Sequence, residues 1–216
     1  MRQRKIKNLE EKILCFKRWY VADVSEVKGK WEAVFENRND LFLELGSGKG
    51  QFLICQAEKR RDRNYIGVEG RASVAFRALQ KLEEAGLENV RFADGFVNDP
   101  ETLFSESEIS GIYLNFSDPW PKGRHAHRRL THRNYLIKYH KILKPGGFVE
   151  LKTDSAELFA FTESEVKEAA GMFRITESSS DLHHSDYNAK EITSEYEDKF
   201  LAAGKNIYYV RLVMIV

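Results

Sequence analysis

Short apolar runs alternate with longer amphipathic stretches along most of the chain. Each apolar run has the length of a buried strand, and the stretches that follow repeat their apolar residues at helical spacing. The clearest helix carries Ala75, Ala78, Leu79 and Leu82 at positions i, i+3, i+4 and i+7, and Gly86 is suited to end it. The predicted strands cover residues 41–45, 65–69, 89–92, 109–116, 148–151 and 207–213, and further helices cover 132–143 and 155–170.

Strands that alternate with helices predict a mostly parallel sheet covered on both faces. We therefore expect an α/β fold of the Rossmann-like, doubly wound type, with seven strands and an antiparallel C-terminal strand. Right-handed crossovers would place the loops that follow the strands along one edge of the sheet. No repeat or low-complexity linker divides the chain, so residues 1–216 are predicted to form one domain, with a basic arm or helix over 1–35 outside the sheet and the core over 36–216.

Composition agrees with a soluble globular enzyme or binding protein. Of the 216 residues, 42% are hydrophobic and 31% are charged, which argues against disorder. No stretch approaches the roughly 18 apolar residues that a membrane span needs, and the N-terminus has no signal-like apolar core. Cys15 and Cys55 are far apart and match no metal-ligand spacing, so we expect reduced thiols and a cytoplasmic protein.

A stiff corner follows the predicted strand over 109–116. The run Asn115-Phe116-Ser117-Asp118-Pro119-Trp120-Pro121-Lys122 contains two prolines, and each keeps its predecessor out of the helical region. The strand should therefore stop at Asp118, at the edge where open α/β sheets bind their ligands. The alternative is a rigid turn in which Asp118 merely caps neighbouring backbone.

The net charge of +1 conceals two strongly basic segments. Residues 1–7 carry four basic side chains and residues 119–149 carry eight, and neither segment contains an acid. A basic face on a nearly neutral protein favours a polyanionic partner. The alternative is a set of lysines that simply face solvent, but arginines beside the stiff corner favour nucleic acid.

Glycines at alternate positions join the first predicted strand to a helix, in Glu44-Leu45-Gly46-Ser47-Gly48-Lys49-Gly50. Such a turn lets the backbone approach a ligand closely. Its spacing matches neither the phosphate-binding P-loop nor the dinucleotide pattern. An acid before the turn would repel a pyrophosphate but suits an ammonium or sulfonium ligand, and Glu69, at the end of the next strand, is placed to bind ribose hydroxyls. The sequence therefore indicates S-adenosylmethionine as the cofactor, although Glu69 alone could be an ordinary exposed acid.

These features together resemble one family, the bacterial tRNA (guanine-N7-)-methyltransferases. The resemblance extends from about residue 35 to the C-terminus and is most specific over residues 113–122, continued by Arg124-His125 and Arg128-Arg129-Leu130-Thr131. The segments Leu151-Lys152-Thr153-Asp154 and Ser194-Glu195-Tyr196-Glu197 also look like family motifs.

The resemblance implies methyl transfer to N7 of a guanine in the variable loop of tRNA. It assigns cofactor contacts to Glu44, Glu69 and Asp118, with Gly46 and Gly48 in the loop, and it makes Asp118 catalytic as well. Guanine contacts are implied for Lys122, Asp154 and the segment Thr193, Ser194, Glu195, Tyr196 and Glu197, and RNA contacts for Arg124, His125, Arg128 and Arg129. Family members occur as monomers and as homodimers, so both states stay open.

The chain departs from the family pattern at two places. The family usually has an acid where this chain has Phe96, so we assign its contact with the adenine end of the cofactor to Asp94. The last motif usually begins with threonine where this chain has Ser194, and Thr193 precedes it. Either hydroxyl could contact the ligand.

Guanine N7 already offers a lone pair, so the chemistry requires no strong base. We expect Asp118 to act through electrostatics and alignment. Ionised Asp154 and Glu197 can only accept hydrogen bonds, so they can select the donor edge of guanine once the base leaves its stack. Asp154 could also cap the following helix, and the two roles are compatible.

Other interpretations are weaker. His125, His127 and His132 lie within the basic run, but no cysteine and few acids accompany them, so we expect no metal site. Trp120 could stack on a base or pack into the core. A small-molecule methyltransferase would have no use for the basic run, a non-catalytic RNA-binding module would be expected to lose Glu44 or Asp118, and a nicotinamide enzyme is disfavoured by the glycine spacing.

Overall fold

The computed structural model describes residues 6–95, 99–169 and 171–215. Within these residues, a single sheet is surrounded by helices. Its strands are β1 (Tyr20–Val21), β2 (Asp40–Leu45), β3 (Arg63–Glu69), β4 (Val90–Asp94), β5 (Ile109–Asn115), β6 (Leu143–Thr153), β7 (Phe173–Ser179) and β8 (Tyr208–Met214). The helices are α1 (Leu9–Leu14), α2 (Trp31–Phe35), α3 (Gln51–Lys59), α4 (Ala72–Ala85), α5 (Arg133–Ile142), α6 (Ala156–Glu168) and α7 (Glu195–Ala202).

The strand order is β1-β4-β3-β2-β5-β6-β8-β7. From β1 to β6 the neighbours pair in parallel, while β8 runs antiparallel to both β6 and β7. The doubly wound architecture and the antiparallel C-terminal strand are confirmed. The chain winds in one direction from β2 to β4 and in the other from β5 onwards, so the topological switch point lies between β2 and β5.

Both faces of the sheet are covered, as the alternation of side chains requires. On β2, Leu43 and Leu45 join the apolar cluster that includes α2, α5 and α6. Phe42 points to the other face and joins the cluster formed with α1, α3 and α4. Because successive strand residues face opposite sides, Glu44 shares the face of Phe42. This alternation determines which face of the sheet the Glu44 side chain points to.

The N-terminal segment is partly inside the sheet, which corrects the prediction of an arm outside it. Tyr20 and Val21 pair in parallel with β4 and form an edge strand. The indole of Trp19 donates a hydrogen bond of 2.7 Å to the carbonyl of Leu87, and Trp31 is buried in the core. The aromatic residues of this segment pack against the two apolar clusters of the core, so the segment lies against the sheet despite its basic charge.

In the described part of the chain the sheet has eight strands in place of the predicted seven. β1 has only two residues, too few to show a periodicity in the sequence. β7 was not identified from sequence either, since polar residues fill most of its length as they do in many edge strands. β6 is longer than predicted because it begins at Leu143, and its pairing with β5 shifts register between Ile109 and Gly111.

Candidate functional site

A cavity of about 760 Å³ opens at the carboxyl edge of the sheet, at the switch point. Its walls come from the loop after β2, the ends of β3 and β4, the corner after β5, the basic segment and α7. Doubly wound sheets bind small molecules at this position. The predicted site residues that line the cavity are Gly46, Gly48, Glu69, Asp118, Arg128, Glu195 and Tyr196.

The loop after β2 turns through three glycines in the left-handed region. Gly46, Gly48 and Gly50 have φ values of 77°, 58° and 76°. A Cβ on Gly46 or Gly48 would meet no described atom within 4 Å, whereas a Cβ on Gly50 would lie 2.6 Å from the ring of Phe92. The first two glycines therefore leave open space beside the backbone, and the third permits close packing of the loop on the sheet.

Glu69 is held against the glycine loop by backbone donors. Its Oε2 accepts a hydrogen bond of 3.1 Å from the Gly48 N–H, and its Oε1 accepts one of 2.9 Å from the Arg71 N–H. An ionised carboxylate oxygen can accept more than one hydrogen bond, so both oxygens keep capacity for a ligand. The carboxylate is thus preorganised at the wall of the cavity.

Glu44 lies beneath the loop, away from the cavity wall. It is 2% exposed, and its Oε1 accepts a hydrogen bond of 2.7 Å from the Asn115 amide. Its Oε2 has no hydrogen-bond partner among the described residues. Burial raises the pKa of Glu44 to about 8, so the side chain is mostly protonated at neutral pH. Glu44 does not line the cavity in this structure, and its contact with the cofactor stays a prediction.

The corner after β5 contains two strained residues. Phe116 and Trp120 have φ values of 53° and 41°, in a region that large side chains rarely adopt. The Phe116 N–H donates a hydrogen bond of 2.8 Å to the carbonyl of Lys152, which ties the corner to β6. Asp118 stands exposed between the two strained residues, at the cavity. Strained backbone of this kind is typical of functional sites.

Arg129 holds the corner in place. Its guanidinium donates hydrogen bonds of 3.0 Å to the carbonyls of both Pro119 and Trp120, and a third of 2.6 Å to Glu157. The side chain is buried, with 4% of the residue exposed. The structure does not support the prediction that Arg129 binds RNA, because the side chain is buried and three of its N–H groups donate within the protein.

Most of the basic run is neutralised by acids from other parts of the chain. Like Arg129, four further cations form ion pairs, and their partners come from β2, from α6 and from the segment before β5. Only Lys122, Arg124 and Arg128 have no acidic partner among the described residues, and all three are exposed. The acid-free run therefore supports a polyanion site less strongly than the sequence suggested. The four pairs are Arg133–Glu165, Lys138–Asp99, Lys141–Glu101 and Lys144–Asp40.

The sequence left open whether Trp120 packs into the core or is free to stack on a base. Its ring lines the cavity and is only half-buried, so it is not a core residue. The Arg128 guanidinium lies 4.9 Å from the centre of the ring, and the His125 ring meets it edge-on at 5.8 Å. His125 and Arg124 do not line the cavity themselves. They lie in the short 3-10 helix Gly123–Arg128 that leads away from the corner.

The first turn of α7 contains a buried ion pair. The Lys152 ammonium donates to both carboxylate oxygens of Glu197, at 3.2 and 3.1 Å, and to the carbonyl of Ile192 at 2.8 Å. His183 Nε2 lies 2.9 Å from the same carboxylate, and Glu197 is 0% exposed. Neither Lys152 nor His183 was predicted to belong to this site, although Lys152 lies in the family-like segment Leu151-Lys152-Thr153-Asp154.

Ser194 and Glu197 form a reciprocal cap at the start of α7. The Ser194 hydroxyl accepts from the Glu197 N–H at 3.2 Å, and the Glu197 carboxylate accepts from the Ser194 N–H at 3.4 Å. Both side chains are therefore engaged inside the protein. Thr193 is close by, and its hydrogen bond to Asp198 contributes to a lowered pKa of that acid.

Glu195 and Tyr196 face the cavity from the same turn. Glu195 forms ion pairs with Lys49 in the glycine loop, at 3.3 Å, and with Lys81 on α4. These two ammonium groups hold the pKa of Glu195 below its usual range. Tyr196 is 57% exposed, and the Lys199 ammonium lies 5.3 Å from the centre of its ring.

Lys122 and Asp154 lie outside the cavity wall. Lys122 is exposed, and Asp154 forms an ion pair of 2.7 Å with Lys205. The alternative in which Asp154 caps the next helix is wrong, because Ser155 is the residue whose side chain accepts from the Leu158 N–H.

The end of β4 completes the rim. Asp94 pairs in register with Glu69 on β3, and the next residue, Gly95, lines the cavity. The backbone of Asp94 is therefore at the edge where its role was predicted. The side chain of Asp94 and the whole of Phe96 lie outside the described residues.

Within the residues that the structure describes, no group of three or more histidine, cysteine or acidic side chains is arranged to hold a metal ion. None of the helices in residues 6–95, 99–169 and 171–215 has the length and apolar character that a membrane crossing requires.

Comparisons with known proteins agree with this geometry. Residues 38–210 match a family model described as "Putative methyltransferase". A tRNA (guanine-N(7)-)-methyltransferase of Clostridioides difficile is 38% identical over 209 residues, with 96% of each chain covered, and one of Limosilactobacillus reuteri is 42% identical over 188 residues, with 87% of each covered. The solved structure of a 16S rRNA methyltransferase shares the fold with a TM-score of 0.66 over 87% of this chain and 94% of that one, at 11% identity. The family match and the extent of the identity show that this chain belongs to the tRNA (guanine-N(7)-)-methyltransferase family.

Proposed function

We propose that the protein transfers a methyl group from S-adenosylmethionine to N7 of a guanine in the variable loop of tRNA. The observation that supports this proposal is the cavity at the switch point, which the Glu69 and Asp118 side chains line together with Gly46 and Gly48 of the glycine loop. A protein with this activity would work in the cytoplasm as a single catalytic domain.

The residues present fit the methyl donor. The space beside Gly46 and Gly48, which any Cβ would reduce, admits a ligand against the loop backbone. Glu69 is positioned to accept hydrogen bonds from a pair of ribose hydroxyls, and Asp94 is one strand further along for the adenine end. Glu44 is buried just before the glycine loop. Its raised pKa of about 8 would fall if a cationic ligand bound nearby, and the carboxyl group would then lose its proton.

S-adenosylmethionine supplies the methyl group on a sulfonium, which becomes a neutral thioether after transfer. The N7 lone pair of guanine forms the new bond, so no proton needs to be removed and the positive charge ends on the purine. Asp118, exposed at the cavity, stabilises that developing charge and aligns the base. This is why the site needs a carboxylate but no general base.

Guanine recognition falls to groups that are accessible. Glu195 and Tyr196 line the cavity, and Thr193 precedes them in the chain. Asp154, which lies outside the cavity wall, would reach the base by exchanging Lys205 for the donor edge of guanine. Ser194 and Glu197 act on that turn from inside, as its cap and its buried anchor. Glu197 therefore positions the turn rather than touching the base.

The tRNA backbone would meet the exposed cations beside the corner. Arg124 and Arg128, with His125, are proposed to contact phosphates, and Lys122, exposed beside them, is proposed to contact the guanine. Such contacts make affinity fall steeply with salt, which distinguishes them from the buried Arg129.

The function is tested by incubating the protein with unmodified tRNA and isotopically labelled S-adenosylmethionine, then locating the label by mass spectrometry of nuclease fragments. The expected product is 7-methylguanosine in the variable loop. Asp118→Ala should bind the donor in calorimetry with a modest loss and lose most of the transfer rate. Label at another atom or another RNA position would refute the proposal.

A further inference from the structure

Two aromatic rings in the cavity each lie against a cationic group. The Arg128 guanidinium is 4.9 Å from the centre of the Trp120 ring, and the Lys199 ammonium is 5.3 Å from the centre of the Tyr196 ring. Both distances are within the range in which a cation is attracted to a π face. All four side chains line the same cavity. The cavity therefore presents two ring faces that attract positive charge.

Ordinary core packing does not explain the position of either ring. Trp120 has a left-handed backbone, held by the hydrogen bond from Arg129 to its carbonyl, and its ring remains half-buried at the cavity wall. Tyr196 directs a ring that is 57% exposed into the same space. A bulky residue in a strained conformation is usually retained for a function.

The proposed reaction moves a positive charge from the sulfonium of the donor to the purine. Guanine is neutral before methylation, and the purine carries a positive charge once N7 has gained the methyl group. An aromatic ring stacks on both forms, but it attracts the cationic form more strongly. A contact that strengthens as the charge develops lowers the barrier of the chemical step, rather than merely tightening substrate binding.

We propose that Trp120 and Tyr196 form a cation–π site for the purine and that this site stabilises the positive charge which develops as N7 is methylated. Arg128 and Lys199 occupy the ring faces when no RNA is bound. When the purine enters, both groups leave the rings and become available to the flanking phosphates. This inference rests on the proposed function, since it concerns the base that accepts the methyl group.

Binding measurements test the site without any turnover. Affinities for unmodified tRNA and for the same tRNA carrying 7-methylguanosine are measured in the absence of a methyl donor. Wild-type protein should prefer the methylated tRNA by about threefold to thirtyfold, the range that one or two cation–π contacts supply. Trp120→Leu and Tyr196→Leu should each reduce this ratio, and the double variant should bring it close to one.

Single-turnover methylation gives a second test. Replacing Trp120 by Tyr, Phe and Leu should slow the transfer step progressively, because cation–π strength falls from Trp to Phe and is absent in Leu. The KM for tRNA should change much less across the series. If the ring only stacked on the base, the leucine variant would instead have a raised KM for tRNA, and the three proteins with an aromatic residue would transfer the methyl group at similar rates.

Trp19 offers a matched control. The Arg18 guanidinium lies 5.7 Å from its ring centre, as in the Trp120 pair, but Trp19 is not part of the cavity wall. Trp19→Phe should keep the wild-type ratio of affinities. The inference is overturned if wild-type protein methylates tRNA and yet binds both tRNAs equally, or if the leucine variants keep the wild-type ratio. A wild-type protein that fails to methylate tRNA at all would instead refute the proposed function.

Discussion

The amide of Asn115 donates a hydrogen bond of 2.7 Å to the buried carboxyl group of Glu44. Asn115 ends β5 and Glu44 is the penultimate residue of β2, so this bond joins the two strands on either side of the switch point. The glycine loop continues from one strand and the Asp118 corner from the other. In addition to the backbone pairing of β2 and β5, this buried side-chain contact connects the element that leads to the proposed donor site with the one that leads to the proposed acceptor site.

Glu44 should make stability depend on pH. Its pKa is raised to about 8 in the folded protein from 4.5 in the reference state, so folding favours the protonated form. The stability contributed by that proton is complete below about pH 4.5 and is lost as pH rises to about 8. Glu44→Gln resembles the protonated acid, so urea unfolding across this range should show wild-type protein losing stability relative to the variant.

Equal pH dependence of the two proteins would contradict this account of Glu44. Addition of S-adenosylhomocysteine, which carries an ammonium but no sulfonium, provides a control. It should stabilise both proteins by mass action.

Arg129→Lys should destabilise the corner after β5. The variant loses the paired donors to the carbonyls of Pro119 and Trp120, and at least one carbonyl would lack its partner. We expect the free energy of unfolding to fall by about 1–3 kcal/mol. Thermal or urea denaturation measures this directly. Arg128→Lys, whose side chain is exposed, should leave stability within about 0.5 kcal/mol of wild type, and similar losses in the two variants would argue against the clamp.

Alanine substitutions of Glu197 and Asp154 should distinguish a residue that stabilises the fold from one that recognises the base. Glu197→Ala leaves the Lys152 ammonium buried without its carboxylate, which should reduce the free energy of unfolding by about 3–5 kcal/mol. Asp154→Ala removes only a partly exposed ion pair with Lys205 and should cost less than about 1 kcal/mol, while it weakens methylation of tRNA. The combination of denaturation curves and transfer rates distinguishes the two. A stable but inactive Glu197→Ala protein would show that Glu197 reads the base after all.

Salt dependence should divide the basic run into two groups. Arg124→Ala and Arg128→Ala should each reduce the slope of log affinity for tRNA against log salt by about 0.7–0.9, as expected for one lost phosphate contact. Lys144→Ala should leave the slope unchanged, because that ammonium is already paired with Asp40. Filter binding over a series of salt concentrations measures all three. An equal change in every variant would mean that the whole run contacts RNA.

Much of the fold follows from local patterns. The repeat of Ala75, Ala78, Leu79 and Leu82 identified α4, and the apolar run over 41–45 identified β2, because a single buried face leaves a regular period. β1 and β7 have no such period, since one has two residues and the other is polar along most of its length. Both are edge strands, and each is stabilised by pairing with a strand that is distant in sequence.

The candidate site was predictable where a loop sets the geometry. Gly46, Gly48, Glu69 and Asp118 reach the cavity because each closely follows or ends a parallel strand. Arg129 and the paired lysines of α5 were misjudged, because their acidic partners come from other elements and a count of charges along the chain cannot show ion pairs in space. The burial of Glu44 depends on the packing that covers both faces of β2, which the acid alone does not reveal.

The most direct test of the central claim uses tRNA in which 7-deazaguanosine replaces the target guanosine, so that a carbon stands where N7 would be. Labelled methyl transfer is measured in parallel on this tRNA and on the unmodified tRNA, with binding of both verified separately. The account predicts 7-methylguanosine in the unmodified tRNA and no label in the deaza tRNA, at similar affinity. Label in the deaza tRNA, or in neither substrate, would contradict it.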